Sequence, residues 1–195
     1  MKKVLSVLLV FACLMMGTTA FAADLEQGTN PETVIGYLYD DEGNCIEIVG
    51  HLVETSAISL FSENEGLSLT YEFNLKASNF ESNPAVGSDS ENVSTVYSTI
   101  NYYINNGSYL LSSVSGNWTL TNSNASVTSA FLSYGCTDSR TSTQVGSRSV
   151  SNNFYVGTGF STYVTGGGMS VGANLTLSYR MNSRSWSFTL PNYVA

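Results

Sequence analysis

The residues in this chain that could do chemistry are few, and each can be weighed by its spacing. Gly168, Met169, Ser170, Val171 and Gly172 match the pattern of a nucleophile elbow, in which a serine on a sharp strand-to-helix turn is presented to a base. That chemistry needs a helix after the serine, with an acid and a histidine further along the chain. Here an alternating, strand-like run follows Ser170, and the only histidine, His51, lies far upstream. The reverse order, His51 then Asp89 then a late serine, is permitted by chain order alone and has no motif behind it. His51 stands beside Leu52 and Val53 and reads as a half-buried strand residue rather than a base. One histidine and the two cysteines beyond the leader have no zinc-ligand spacing. Asp40, Asp41, Glu42 and Asn44, with Glu47 nearby, offer the oxygen atoms that calcium takes, but not at the spacing of a calcium loop, so a solvated turn is expected. The sequence therefore assigns no catalytic residue, metal site or cofactor, and a hydrolase is disfavoured.

Two other sets of residues carry expectations. Cys45 and Cys136 are the only cysteines after a leader that directs export, so a single disulfide joining the acidic part of the chain to the neutral part is expected. Tyr97, Asn101 and Tyr103 share the polar parity of one strand, and Tyr155 and Tyr163 share that of another. Rigid amphipathic rings among amides and hydroxyls suit a surface that binds a glycan or a protein. The bland alternative is that another sheet or loop covers this face. The Asn-x-Ser/Thr triplets, such as Asn117 to Thr119, are expected by chance in so Ser, Thr and Asn-rich a chain.

Composition sets the setting for these residues. Lys2 and Lys3, the apolar run Val4 to Met16, and Ala20, Phe21 and Ala22 form the three parts of a secretory signal peptide cut after Ala22. The run is too short to be a stable transmembrane helix. Lipid attachment at Cys13 ranks below simple export. Residues 23–32 read as a polar leader and 33–195 as a single β domain, long enough to bury a core. Fourteen acids and one base lie between Asp24 and Glu91, whereas one acid and four arginines follow Asn92. A chain with so few cations has no electrostatic footprint for nucleic acid or an anionic membrane. The asymmetry reads as a solvated acidic sheet on a neutral one, ahead of head-to-tail self-assembly through the two halves.

The elements that must position the candidates are strands. Leu67, Leu69, Tyr71, Phe73 and Leu75 alternate with polar residues, as do Val171 to Tyr179 and Trp186 to Leu190. A two-residue turn at Asn182 and Ser183 predicts the pairs Tyr179 with Trp186, Leu177 with Phe188 and Leu175 with Leu190. A second turn at Gly166 and Gly167 would pair Val164 with Met169, Phe160 with Ala173 and Val156 with Leu177. Val34 to Tyr39 and Cys45 to Val53 flank the acidic turn. Around Asn105, Asn106 and Gly107, matching parity favours a three-residue loop with a bulge. Ser78 to Asn92 reads as a long polar loop, Ser126 to Tyr134 as a strand, and Thr137 to Asn153 as a loop or weak strand. No helical period appears beyond the signal peptide. About nine strands at this spacing predict an all-β antiparallel sandwich, with a barrel as the alternative. Such a domain reads as a secreted or cell-surface binding or structural module; a pore-forming or small outer-membrane barrel is the second expectation.

Overall fold

The computed structural model describes residues 31–58, 65–80, 91–139 and 143–194. The expected signal peptide, most of the expected polar leader, Asp89 and most of the expected loop after Ser78 lie outside the described residues. Alternation becomes ten antiparallel strands: β1 (Thr33–Asp40), β2 (Cys45–Ile58), β3 (Glu65–Lys76), β4 (Asn92–Asn105), β5 (Ser108–Leu120), β6 (Ala125–Thr137), β7 (Thr143–Ser149), β8 (Phe154–Gly157), β9 (Ser170–Met181) and β10 (Arg184–Tyr193). A single 3-10 turn, Ala77–Phe80, follows β3. The strands form one sheet in the order β7-β6-β9-β10-β1-β2-β3-β4-β5-β8, curled into a half-barrel. The two layers expected of a sandwich are thus two parts of one continuous sheet, and the barrel-like alternative is the one realised. Curling lets a sheet that is apolar on one face cover that face with itself.

The inner face carries Leu38, Ile48, Leu69, Tyr71, Phe73, Val96, Ile100, Val114, Leu132, Leu175, Leu177, Trp186, Phe188 and Leu190, all buried. Each large apolar side chain taken out of water contributes roughly 1.5–3 kcal/mol before entropy is counted. Phe73 and Phe188 meet edge to face, with ring centroids 5.6 Å apart. Phe80, from the 3-10 turn, packs edge-on against Trp186 at 5.4 Å and Tyr179 at 5.7 Å, closing the core where β9 and β10 turn.

The β9–β10 hairpin has the expected register, with Tyr179 opposite Trp186, Leu177 opposite Phe188 and Leu175 opposite Leu190. Asn182 and Ser183 both have positive φ, as a two-residue hairpin turn requires. β10 continues past the alternating run Trp186 to Leu190 through Pro191 to Tyr193. Three other expectations are corrected. The segment from Phe154 to Val164 does not pair with β9: β8 pairs with β5, and Val164 bridges Tyr109, while β9 takes β6 and β10 as neighbours. Its apolar residues do face the core, because parity fixes a face but not a partner. The β4–β5 turn is the two-residue Asn106–Gly107, both at positive φ, with Asn105 opposite Ser108. Parity is restored within the strand, where Ser112 is the extra residue between the pairs Asn101–Ser113 and Tyr102–Leu111. His51 is exposed on the outer face of β2, not half buried.

Glycines on the sheet sit opposite rings. The register pairs Gly50 with Phe73, Gly116 with Phe154, Gly146 with Tyr134 and Gly172 with Tyr193. A Cβ built at Gly50 would lie 2.4 Å from the Phe73 ring, and one at Gly146 would lie 2.4 Å from the Tyr134 ring. The rings occupy the space that a side chain would need, restoring the apolar cover a strand glycine otherwise lacks.

Candidate functional site

Of the five residues singled out by parity, β4 places Tyr97, Asn101 and Tyr103 outward, because its even positions Val96, Ile100 and Tyr102 are buried in the core. Register then lays out rows across the outer face. Glu72, Tyr97 and Asn117 form one row, Thr70, Thr99, Ser115 and Tyr155 the next, and Ser68, Asn101, Ser113 and Gly157 the third. Rows are ~7 Å apart along a strand and neighbours within a row ~4.8 Å apart. Tyr97, Asn101 and Tyr155 therefore enclose Thr99 and Ser115. Because Tyr109 bridges Val164, Tyr163 falls beside Leu110, which is itself opposite Tyr103. Tyr103 and Tyr163 are only partly exposed and cover Leu110, so they serve as a wall of this face more than as contact rings.

The floor is a hydroxyl and amide network. Thr70 and Thr99 hydroxyls bond at 2.9 Å, and Asn101 Nδ2 donates to Ser113 Oγ at 3.0 Å. Ser68, Thr70 and Ser113 are buried although they lie on the outer face. Glu72 accepts from Asn74 Nδ2 at 2.6 Å and from the Tyr97 hydroxyl. That bond, with burial and the carboxylate charge, raises the Tyr97 pKa. Burial, with Tyr103 close by, raises that of Tyr163. Above this floor Tyr155 stands 71% exposed. A side chain so open contributes little to the core, so its ring is available to a ligand.

Side-chain amides hold the connecting segment that carries Tyr155 and Tyr163. Asn152 Oδ1 accepts from the Trp118 N–H and its Nδ2 donates to the Trp118 carbonyl, both at 2.8 Å. Gln144 treats Thr162 in the same way, accepting from its N–H at 3.2 Å and donating to its carbonyl at 2.7 Å, and also accepts from Ser161 N–H at 3.0 Å. Each amide makes the paired bonds that a strand residue would make. Thr158 Oγ1 and N–H take the carbonyls left at the Ser112 bulge. Gln144 and Asn152 carry no signal in the sequence that separates them from other loop amides.

The remaining candidates are dispersed. Ser170 opens β9 and no helix follows it. His51 is exposed on β2, opposite Thr33 and Glu72 in the ladder, and Asp89 lies outside the described residues. The disulfide is a correction. Cys45 lies exposed on β2, Cys136 lies buried on β6, and both are thiols. Sheet order puts β9, β10 and β1 between their strands, and the two side chains lie on opposite faces of the sheet, so no disulfide joins them. Cys136 donates to the Tyr109 carbonyl at 3.5 Å. The acidic turn is answered from within the chain: Arg184 Nη2 lies 3.0 Å from Asp41 Oδ1 and 3.5 Å from both Asp40 Oδ2 and Glu42 Oε1. Its guanidinium also sits over the Trp186 ring, 5.3 Å from the centroid. Among the described residues no group of three or more His, Cys, Asp or Glu side chains is placed to hold a metal ion. The Arg184 contact depends on the antiparallel pairing of β1 with β10, which sets Arg184 at the same end of the sheet as the acidic turn and which the local sequence pattern does not contain.

Comparison with protein-family models, with curated protein sequences and with solved structures gives no match.

Proposed function

We propose that this chain is an exported, non-catalytic binding module whose outer β3-β4-β5-β8 face takes neutral glycan chains. The observation that carries the proposal is the exposed Tyr155 ring beside rows of hydroxyls and amides. On that face, from Ser68 to Glu72 on β3 and across β4, β5 and β8, Glu72 is the only charged residue, and it is engaged by Tyr97 and Asn74. A sugar ring offers an apolar C–H face to stack on a tyrosine and hydroxyls for Ser, Thr and Asn partners. Anionic ligands would find no counter-charge on this face. Export rests on the Lys2-Lys3, apolar and Ala20-Phe21-Ala22 pattern.

The direction of the sheet's two faces favours an aqueous module over a membrane barrel. A lipid-spanning barrel turns an apolar band outward and polar residues inward. This sheet does the reverse. The test is titration calorimetry of the purified protein with soluble neutral oligosaccharides, alongside Tyr155→Ala. The expected result is binding to a neutral glycan that Tyr155→Ala weakens by about tenfold or more, a loss of ~1.4 kcal/mol, with the melting temperature unchanged. Binding only to charged glycans, or neutral-glycan binding indifferent to Tyr155→Ala, refutes the assignment.

A further inference from the structure

Strand β7 ends the sheet. It is bonded to β6 on one side, and on its other side no strand pairs with it among the described residues. Thr143, Val145, Ser147, Arg148 and Ser149 are all exposed, Val145 to 65%. Natural edge strands are guarded by charged side chains, lysine above all, by proline, a bulge or extreme shortness, and the one charge on β7 is Arg148, near its end. β7 contains no lysine or proline, and its register with β6 runs unbroken from Thr137–Thr143 to Phe131–Ser149. The opposite end of the sheet is guarded: β8 has only 4 residues, and the chain beyond it is bonded back to β5 at Thr158 and Val164.

We propose that β7 pairs antiparallel with β7 of a second copy of this chain about a two-fold axis at Gly146, extending the sheet across both molecules. An antiparallel strand can pair with itself isologously, so one edge satisfies the donors and acceptors of the other. This register sets Gln144 against Arg148, Val145 against Ser147 and Thr143 against Ser149. No like charges face each other. Charge also selects this edge over others. The chain carries a net charge of −8, but the acids Asp40, Asp41, Glu42, Glu47, Glu54 and Glu72 belong to β1–β3 and their turn, separated from β7 in the sheet by β6, β9 and β10, and Asp138, just past β6, accepts from the Thr165 N–H at 3.3 Å. Two copies meeting at β7 bring together an edge whose only charge is Arg148.

The test is sedimentation velocity of the purified protein from low to high micromolar concentration, with hydrogen exchange at matched concentrations. The expected result is a monomer–dimer equilibrium in which the amides of residues 143–149 gain protection as dimer forms. Val145→Lys weakens the dimer by about tenfold or more, with Ser147→Lys as the second variant if the first does not fold. Val49→Lys, at an exposed position on β2, leaves the dimer unchanged. A chain that is monomeric throughout, or a dimer lacking either the β7 protection or the sensitivity to lysine at the edge, overturns the proposal. A dimer through another surface is among those outcomes.

Discussion

Replacing Gly50 with alanine tests whether the rings opposite the strand glycines set the packing of this sheet. The new Cβ would lie 2.4 Å from two Phe73 ring atoms and 2.7 Å from a third. Phe73 cannot simply swing away, because it is fully buried and set edge-on against Phe188, whose ring in turn lies 2.8 Å from a Cβ built at Gly36. Overpacking of this kind costs ~1–3 kcal/mol. The loss of unfolded-state freedom on going from glycine to alanine offsets ~0.4–1 kcal/mol of that. A net destabilisation of about 1–2 kcal/mol is left, which for a domain of this size lowers Tm by roughly 2–8 °C. Thermal unfolding followed by circular dichroism reads it directly. Gly157→Ala is the control, since nothing lies within 4 Å of its Cβ position, and it leaves Tm unchanged or slightly raised. Phe73→Leu in the Gly50→Ala background removes the clash, so the double variant loses less than the two single losses combined. If Gly50→Ala is as stable as Gly157→Ala, the ring does not occupy the glycine's space and the packing argument fails.

Other expectations follow from burial and charge. Burial raises the Tyr71 and Tyr193 pKa values to about 12 and moves Tyr179 upward too. The unfolded chain then releases protons from about pH 10 while the folded chain holds them, so stability falls as pH rises from 10 towards 12. Phenolate absorbance at pH 11 should show these tyrosines still protonated until the protein unfolds; their titration near pH 10 in the folded state would contradict the burial. For Asp40, burial opposes the charged form, but hydrogen bonds from the Asn44 side chain and the Asn44, Glu42 and Gly43 N–H groups outweigh it and lower the pKa below 3.8. Its stabilisation is present above that value and is lost as pH falls through the lower folded one, so acid unfolding of Asp40→Asn should be less steep; equal steepness would discount the turn. In protein starting at Ala23, a thiol reagent should modify Cys45 quickly and Cys136 only on unfolding, since burial raises the Cys136 pKa and covers its sulfur. Rapid modification of both thiols would mean that the β6 core opens.

Much of the inner face was legible because alternation is a local property. Trp186, Phe188 and Leu190 announce their face from their own spacing, and the Asn182–Ser183 turn then fixes their partners. Partnership across long connections is not local. Val156 and Val164 have the right parity for β9 and equally for β5, and only the curl of the whole sheet decides between them. The β4–β5 turn failed for a related reason, since parity demanded one extra residue without saying where. It entered at Ser112, several residues from the turn, where Thr158 could take the released carbonyls. The cysteines carried an unused warning. Cys45 shares parity with exposed Val49, and Cys136 with buried Leu132, so the two thiols were marked for opposite faces. The outward placement of Tyr97, Asn101 and Tyr155 followed from parity, whereas their grouping around Thr99 and Ser115 depends on the β5–β8 pairing, which the local pattern does not contain.

The adjacency of β1 and β10 ties the sheet's centre to the order in which the chain becomes available. Tyr37 to Asp40 are laddered to Trp186 to Thr189, so the first strand waits for nearly the last residues before one of its edges is covered. Closing so long a loop is slow, because its entropy must be lost before any contact across it forms. A chain emerging from its amino end would hold β2 to β5 as a growing meander, with β1 open on one side until β10 arrives. Folding then becomes an event of completion rather than of gradual addition. A chain that stops short of Trp186 would lack the ladders that join β9 to β1 within the sheet, and its two parts would meet only through β8 on β5 and the core.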